Sequence, residues 1–125
     1  MTLEGRILSP RGFVRGRLHF SERILAVEEA PVEGPYILPG FLDLHVHGGL
    51  GADAMEGKEA VLRMARFHLQ HGTTGLLATT VTAPPEDLRR ALSGIAEAMA
   101  ECEALLGAHL EGPFLSPKRL GAQPP

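Results

Sequence analysis

From residue 36 to residue 114 the chain alternates between two kinds of segment, and that alternation limits the folds open to it. Three stretches are almost wholly apolar, small or β-branched: YILPGFLDLHVH (36–47), TTGLLATTVT (73–82) and LLGAHLEGPF (105–114). They read as strands. Between them, KEAVLRMARFHLQH (58–71) sets Val61, Met64, Ala65 and Leu69 at helical spacing. PPEDLRRALSGIAEAMAECEAL (84–105) does the same with Leu88, Ala91, Leu92, Ile95 and Met99. Its first turn carries proline, and Glu86 and Asp87 complement the positive end of the helix dipole. Strand, helix, strand, helix, strand at steps of roughly 30 residues is a run of βαβ units. Such a run calls for a parallel sheet covered by helices, and strands this apolar are expected to be buried on both faces. Either an open doubly wound sheet or a (β/α)8 barrel would satisfy this α/β pattern. Both gather function at the carboxyl ends of their strands. GGLGAD (48–53) lacks the glycine spacing of a dinucleotide loop.

Before residue 36 the pattern changes. GRILS (5–9), GFVRGRLHF (12–20) and ILAVEE (24–29) are short and roughly alternating, with Gly, Pro and Ser breaking the runs. A small β unit accounts for them, with Gly12 and Gly16 at turns or bulges. Composition narrows the function classes. A net charge of −3 over 125 residues lacks the basic footprint of a nucleic-acid binder. A single cysteine, Cys102, excludes an intrachain disulfide and fits a reducing compartment. Neither a signal pattern nor an apolar run of membrane-spanning length is present, so a cytoplasmic location is expected.

The chemistry lies at the strand ends. Asp43, His45 and His47 share parity, so a strand would project all of them to one face. Two imidazoles so placed can bind one borderline metal ion, or can simply hydrogen-bond to backbone. Glu111 ends the third apolar run at the Gly112–Pro113 turn, as a metal ligand, a general base or a turn acceptor. His109 shares its face, as support for a ligand or as a satisfied core residue. His68 falls on the apolar side of the first helix, and the helix dipole explains His71 at its end. Strand propensity explains the threonines, although Thr79 or Thr80 could touch a ligand. Cys102 reads as a small core residue.

Three stretches carry a family resemblance: LPGFLDLHVHGGLGADAM, HGTTGLLATTVTAP and LGAHLEGPFLSPKRLGAQPP. P-G-F-x-D-x-H-x-H marks the amidohydrolase superfamily. H-L-E-G-P-F followed by K-R-x-G-A is more specific, and through it the chain resembles the N-acetylglucosamine-6-phosphate deacetylases. The resemblance implies the first part of a (β/α)8 TIM-type barrel, about three βα units over residues 38–125. A segment of a small β-sandwich, residues 1–37, would precede it. It implies a divalent-metal amide hydrolase that removes acetate from N-acetylglucosamine 6-phosphate, in amino-sugar catabolism. Glu111 matches the family's glutamate ligand, and His45 and His47 match the H-x-H pair of members with two ions, zinc or iron. Ala122 matches a position whose backbone contacts substrate. Gln123 stands where some relatives carry a substrate-orienting histidine. The family's acid–base aspartate and two further histidine ligands are expected beyond Pro125, so this chain is expected to be inactive alone. A homo-oligomer is expected of the full-length family, with no nucleic-acid or membrane partner. The alternatives are another amidohydrolase, acting on a cyclic amide or N-acyl amino acid, and a non-catalytic fragment that assembles with a partner.

Overall fold

The computed structural model describes residues 1–124 and divides into two compact units, Met1–Pro39 and Gly40–Pro125. In the first unit, β1 (Thr2–Ser9) and β2 (Gly12–Phe20) form an antiparallel hairpin closed by Pro10 and Arg11. The positive φ of 109° at Gly12 lets the chain leave that turn. β3 (Ile24–Glu29) pairs antiparallel with β2, and β4 (Tyr36–Ile37) pairs parallel with β1. The sheet order is β3-β2-β1-β4. Gly16 lies mid-strand rather than at a turn, because a Cβ there would stand 2.0 Å from the Glu28 carbonyl oxygen.

The second unit holds the βαβ series. Its sheet contains β5 (Phe41–Val46), and a two-residue hairpin follows, β6 (Gly48–Gly49) and β7 (Ala52–Asp53). Leu50 and Gly51 turn that hairpin with left-handed φ of 52° and 68°, the geometry a two-residue loop demands. Thus GGLGAD folds as a tight ribbon. Then come α1 (Lys58–Gln70), β8 (Thr73–Thr79), α2 (Pro85–Met99) and β9 (Leu105–His109). The sheet is parallel, in the order β5-β8-β9. One face buries Leu76, Ala78 and Leu105 against Val61, Leu62, Met64 and Ala65 of α1 and Ile95 and Ala98 of α2. Among the described residues no helix is long and apolar enough to cross a membrane.

Several expectations need correction. The stretch 36–47 is not one strand: Pro39 and Gly40 interrupt it, and β4 joins the other sheet. The second helix stops at Met99, six residues short of Leu105 in the 84–105 reading. Leu69 and Met99 lie in the last turns of their helices and are 46% and 41% exposed. Leu62 and Ala98 complete the buried stripes instead. Helices cover only one face of the sheet. On the other, Leu42 and Leu106 flank Gly75 and are 67% and 50% exposed.

The two helices meet unusually closely at Gly94. A Cβ there would lie 2.7 Å from the Gly57 Cα and 2.8 Å from the Lys58 nitrogen. Helix propensity alone would favour alanine by about 1 kcal/mol. Backbone atoms cannot swing aside, so overpacking at about 1–3 kcal/mol should prevail. Gly94→Ala is therefore expected to lower the denaturant midpoint; an unchanged or raised midpoint would contradict the contact.

Candidate metal centre

Three side chains converge at the carboxyl ends of the parallel strands. His45 stands at the end of β5, His47 just past it, and Glu111 two residues past β9. The His45 and His47 Nε2 atoms are 3.0 Å apart. Glu111 Oε2 lies 3.2 Å from the first and 3.1 Å from the second. All three ligand atoms fall within 4.8 Å of one another.

The hydrogen bonds decide what this cluster can accept. His47 Nδ1 lies 3.1 Å from the Thr79 carbonyl oxygen, which can only accept, so Nδ1 carries the proton. That leaves the Nε2 lone pair of His47 free to bind a cation. Glu111 Oε2 is buried and, beyond its contacts with the two imidazole nitrogens, has no hydrogen-bond partner among the described residues. Buried polar atoms are rarely left so. Two imidazole nitrogens and a carboxylate oxygen suit a divalent metal ion.

The middle strand aligns its neighbours through two buried hydroxyls. Thr79 Oγ1 accepts from the Val46 N–H at 2.9 Å, between the two histidines. Thr80 Oγ1 accepts from the Glu111 N–H at 3.3 Å. Both threonines are fully buried. Their hydroxyls hold the backbone that presents the cluster. Sequence reasoning missed this because strand propensity already accounted for them. Their position at a strand end level with both candidate metal-ligand motifs was the available signal.

Other residues are arranged around these. Asp43 does not join the cluster: Oδ1 turns back to accept from the His45 N–H at 3.1 Å. The pairing register shifts between Asp43 and Val46, so simple parity does not carry through. The His47 carbonyl accepts from the Ala54 N–H at 2.8 Å, and His68 Nε2 donates to the Gly48 carbonyl at 3.0 Å. His68 thereby fastens the hairpin that follows His47. His71 Nδ1 donates to the Phe67 carbonyl at 2.8 Å, capping α1. His109 packs on His45. Cys102 packs against the core cluster. After Glu111 the chain returns to the end of β8. Gln123 Oε1 accepts from the Thr82 N–H at 2.7 Å, while Ala122 beside it is exposed. Only glycine fits at 112, where a Cβ would stand 2.2 Å from Thr82 Oγ1.

Residues 36–123 match the amidohydrolase family. The chain is 45% identical over 103 residues to an N-acetylglucosamine-6-phosphate deacetylase of Bacillus subtilis, covering 77% of this chain and 26% of the relative. It superposes on the crystal structure of the Thermotoga maritima N-acetylglucosamine-6-phosphate deacetylase with a TM-score of 0.87 and 34% identity. That match covers 99% of this chain and 35% of the other. A Mycobacterium smegmatis deacetylase mutant in complex with N-acetyl-D-glucosamine-6-phosphate matches with a TM-score of 0.77 and 36% identity, over 93% of this chain and 33% of that one. The chain therefore spans roughly a third or less of the proteins it resembles.

Replacing a buried acceptor by an isosteric methyl leaves its donor unpaired, at a cost of about 1–3 kcal/mol. Thr79→Val is expected to destabilise the chain by that amount in denaturant unfolding, and to weaken metal binding with it. A variant as stable as the parent would show that Thr79 does not hold the Val46 N–H.

Proposed function

We propose a function from one premise, that the chain belongs to the amidohydrolase family. On this reading it is the amino-terminal part of an N-acetylglucosamine-6-phosphate deacetylase, which hydrolyses the acetamide to glucosamine 6-phosphate and acetate. The convergence of His45, His47 and Glu111 on one point carries the reading. The parallel β5-β8-β9 sheet would be the first part of a (β/α)8 barrel, with Leu42 and Leu106 turned into its interior. Residues 1–37 would contribute to a β-sandwich and 38–125 to the barrel. A cytoplasmic homo-oligomer acting on an amino-sugar phosphate follows from the same reading.

A divalent ion, zinc or iron, one or two in number, would supply Lewis acidity and lower the pKa of a coordinated water toward roughly 7. His45 and His47 would hold it through Nε2, and Glu111 through Oε2. The Thr79 carbonyl keeps His47 in the tautomer this requires. Ala122, through its backbone, and Gln123 would bind substrate. The Gln123 oxygen is already taken by the Thr82 N–H, so its amide NH2 is the group left to donate. Proton transfer from water to the leaving amine needs a carboxylate. On this reading Glu111 is engaged as a ligand, and the resemblance to the deacetylases implies an aspartate for the proton transfer.

The purified chain is expected to bind zinc or iron yet release no acetate from N-acetylglucosamine 6-phosphate. Glu111→Ala should weaken metal binding by more than the roughly 10–100-fold that outer-shell changes cause. Acetate release by the 125-residue chain, or metal uptake indifferent to Glu111→Ala, would contradict the proposal.

A further inference from the structure

We infer that His109 is a positioning residue of the metal centre, acting by packing its ring against His45. The inference rests on the metal reading above and concerns what holds the more exposed of the two imidazoles. His47 is anchored through Nδ1 on the Thr79 carbonyl. The His45 side chain instead makes its polar contacts through Nε2 alone, to His47 and Glu111, the atom a cation would occupy. Two other imidazoles flank its ring. The His47 ring lies against it with centroids 4.9 Å apart at 72°, and the His109 ring with centroids 4.7 Å apart at 83°. Both are edge-to-face, the favoured arrangement for such rings.

His109 is delivered there by the sheet. It pairs with Thr79 in the β8–β9 register, and its carbonyl accepts from the Thr80 N–H at 3.0 Å. Its Nδ1 is buried and makes no hydrogen bond. An unpaired buried nitrogen weakens the fold rather than supporting it, which favours a positioning role over that of a satisfied core histidine. The ring therefore contributes through its T-shaped packing on His45, in a place where an aliphatic residue would suit stability better. Rigid outer contacts of this kind set how well a ligand imidazole is oriented before the ion arrives.

The test compares His109→Leu and His109→Phe in the protein carrying this chain. Zinc affinity is measured by competition with a chromophoric chelator, and stability of the metal-free form by denaturant unfolding. His109→Leu removes the unpaired nitrogen and the ring together. Its metal-free stability is expected to be unchanged or raised, while zinc affinity falls about tenfold. His109→Phe, which keeps an aromatic ring, is expected to recover most of that affinity. Three results would overturn the inference: His109→Leu binding zinc like the parent, His109→Phe binding no better than His109→Leu, or stability falling in step with affinity. A parent that binds no zinc would remove the metal reading itself, and this inference with it.

Discussion

Two hydroxyls at the end of β8 hold the centre together. Thr79 takes the N–H between His45 and His47, and Thr80 takes the N–H of Glu111. A parallel sheet brings neighbouring strand ends to one edge, but its ladder stops there, and the next backbone groups need other partners. Here the middle strand supplies them from its side chains. The two motifs, 64 residues apart from His47 to Glu111, are thereby held against one strand. The same strand's Thr79 carbonyl sets the tautomer of His47. Alignment, tautomer and convergence all descend from one two-residue step.

Around that step the fold prepares the site by close approach. Gly112 lets the chain turn past Thr82 directly after Glu111, and Gln123 binds the returning segment to the Thr82 N–H. On the other side the Leu50–Gly51 hairpin and His68 fix the backbone that leaves His47. The three ligand atoms so gathered could hold a metal ion, with Glu111 Oε2 between the two imidazole nitrogens.

The βαβ order was readable because periodicity survives translation into structure: Val61, Met64, Ala65, Leu88, Ala91 and Ile95 are all buried. It failed where a helix ends. Leu69 and Met99 continue the apolar period, yet in the last turns of their helices both are exposed. It failed again at Pro39–Gly40, where an apolar run crosses from one sheet to the next. His45, His47 and Glu111 were readable as residue types at strand ends, and the structure brings them within contact. The roles of Thr79, Thr80 and His109 were not readable, because each depends on the pairing register of strands far apart in the chain. Composition carries no trace of register.

The most direct measurement is X-ray absorption at the metal edge of the zinc-loaded protein. Expected is a shell of imidazole nitrogens and carboxylate oxygen at about 2.0–2.2 Å, with the outer-ring scattering that two histidines produce. A shell of oxygen alone, without that imidazole signature, would contradict a centre built from His45, His47 and Glu111.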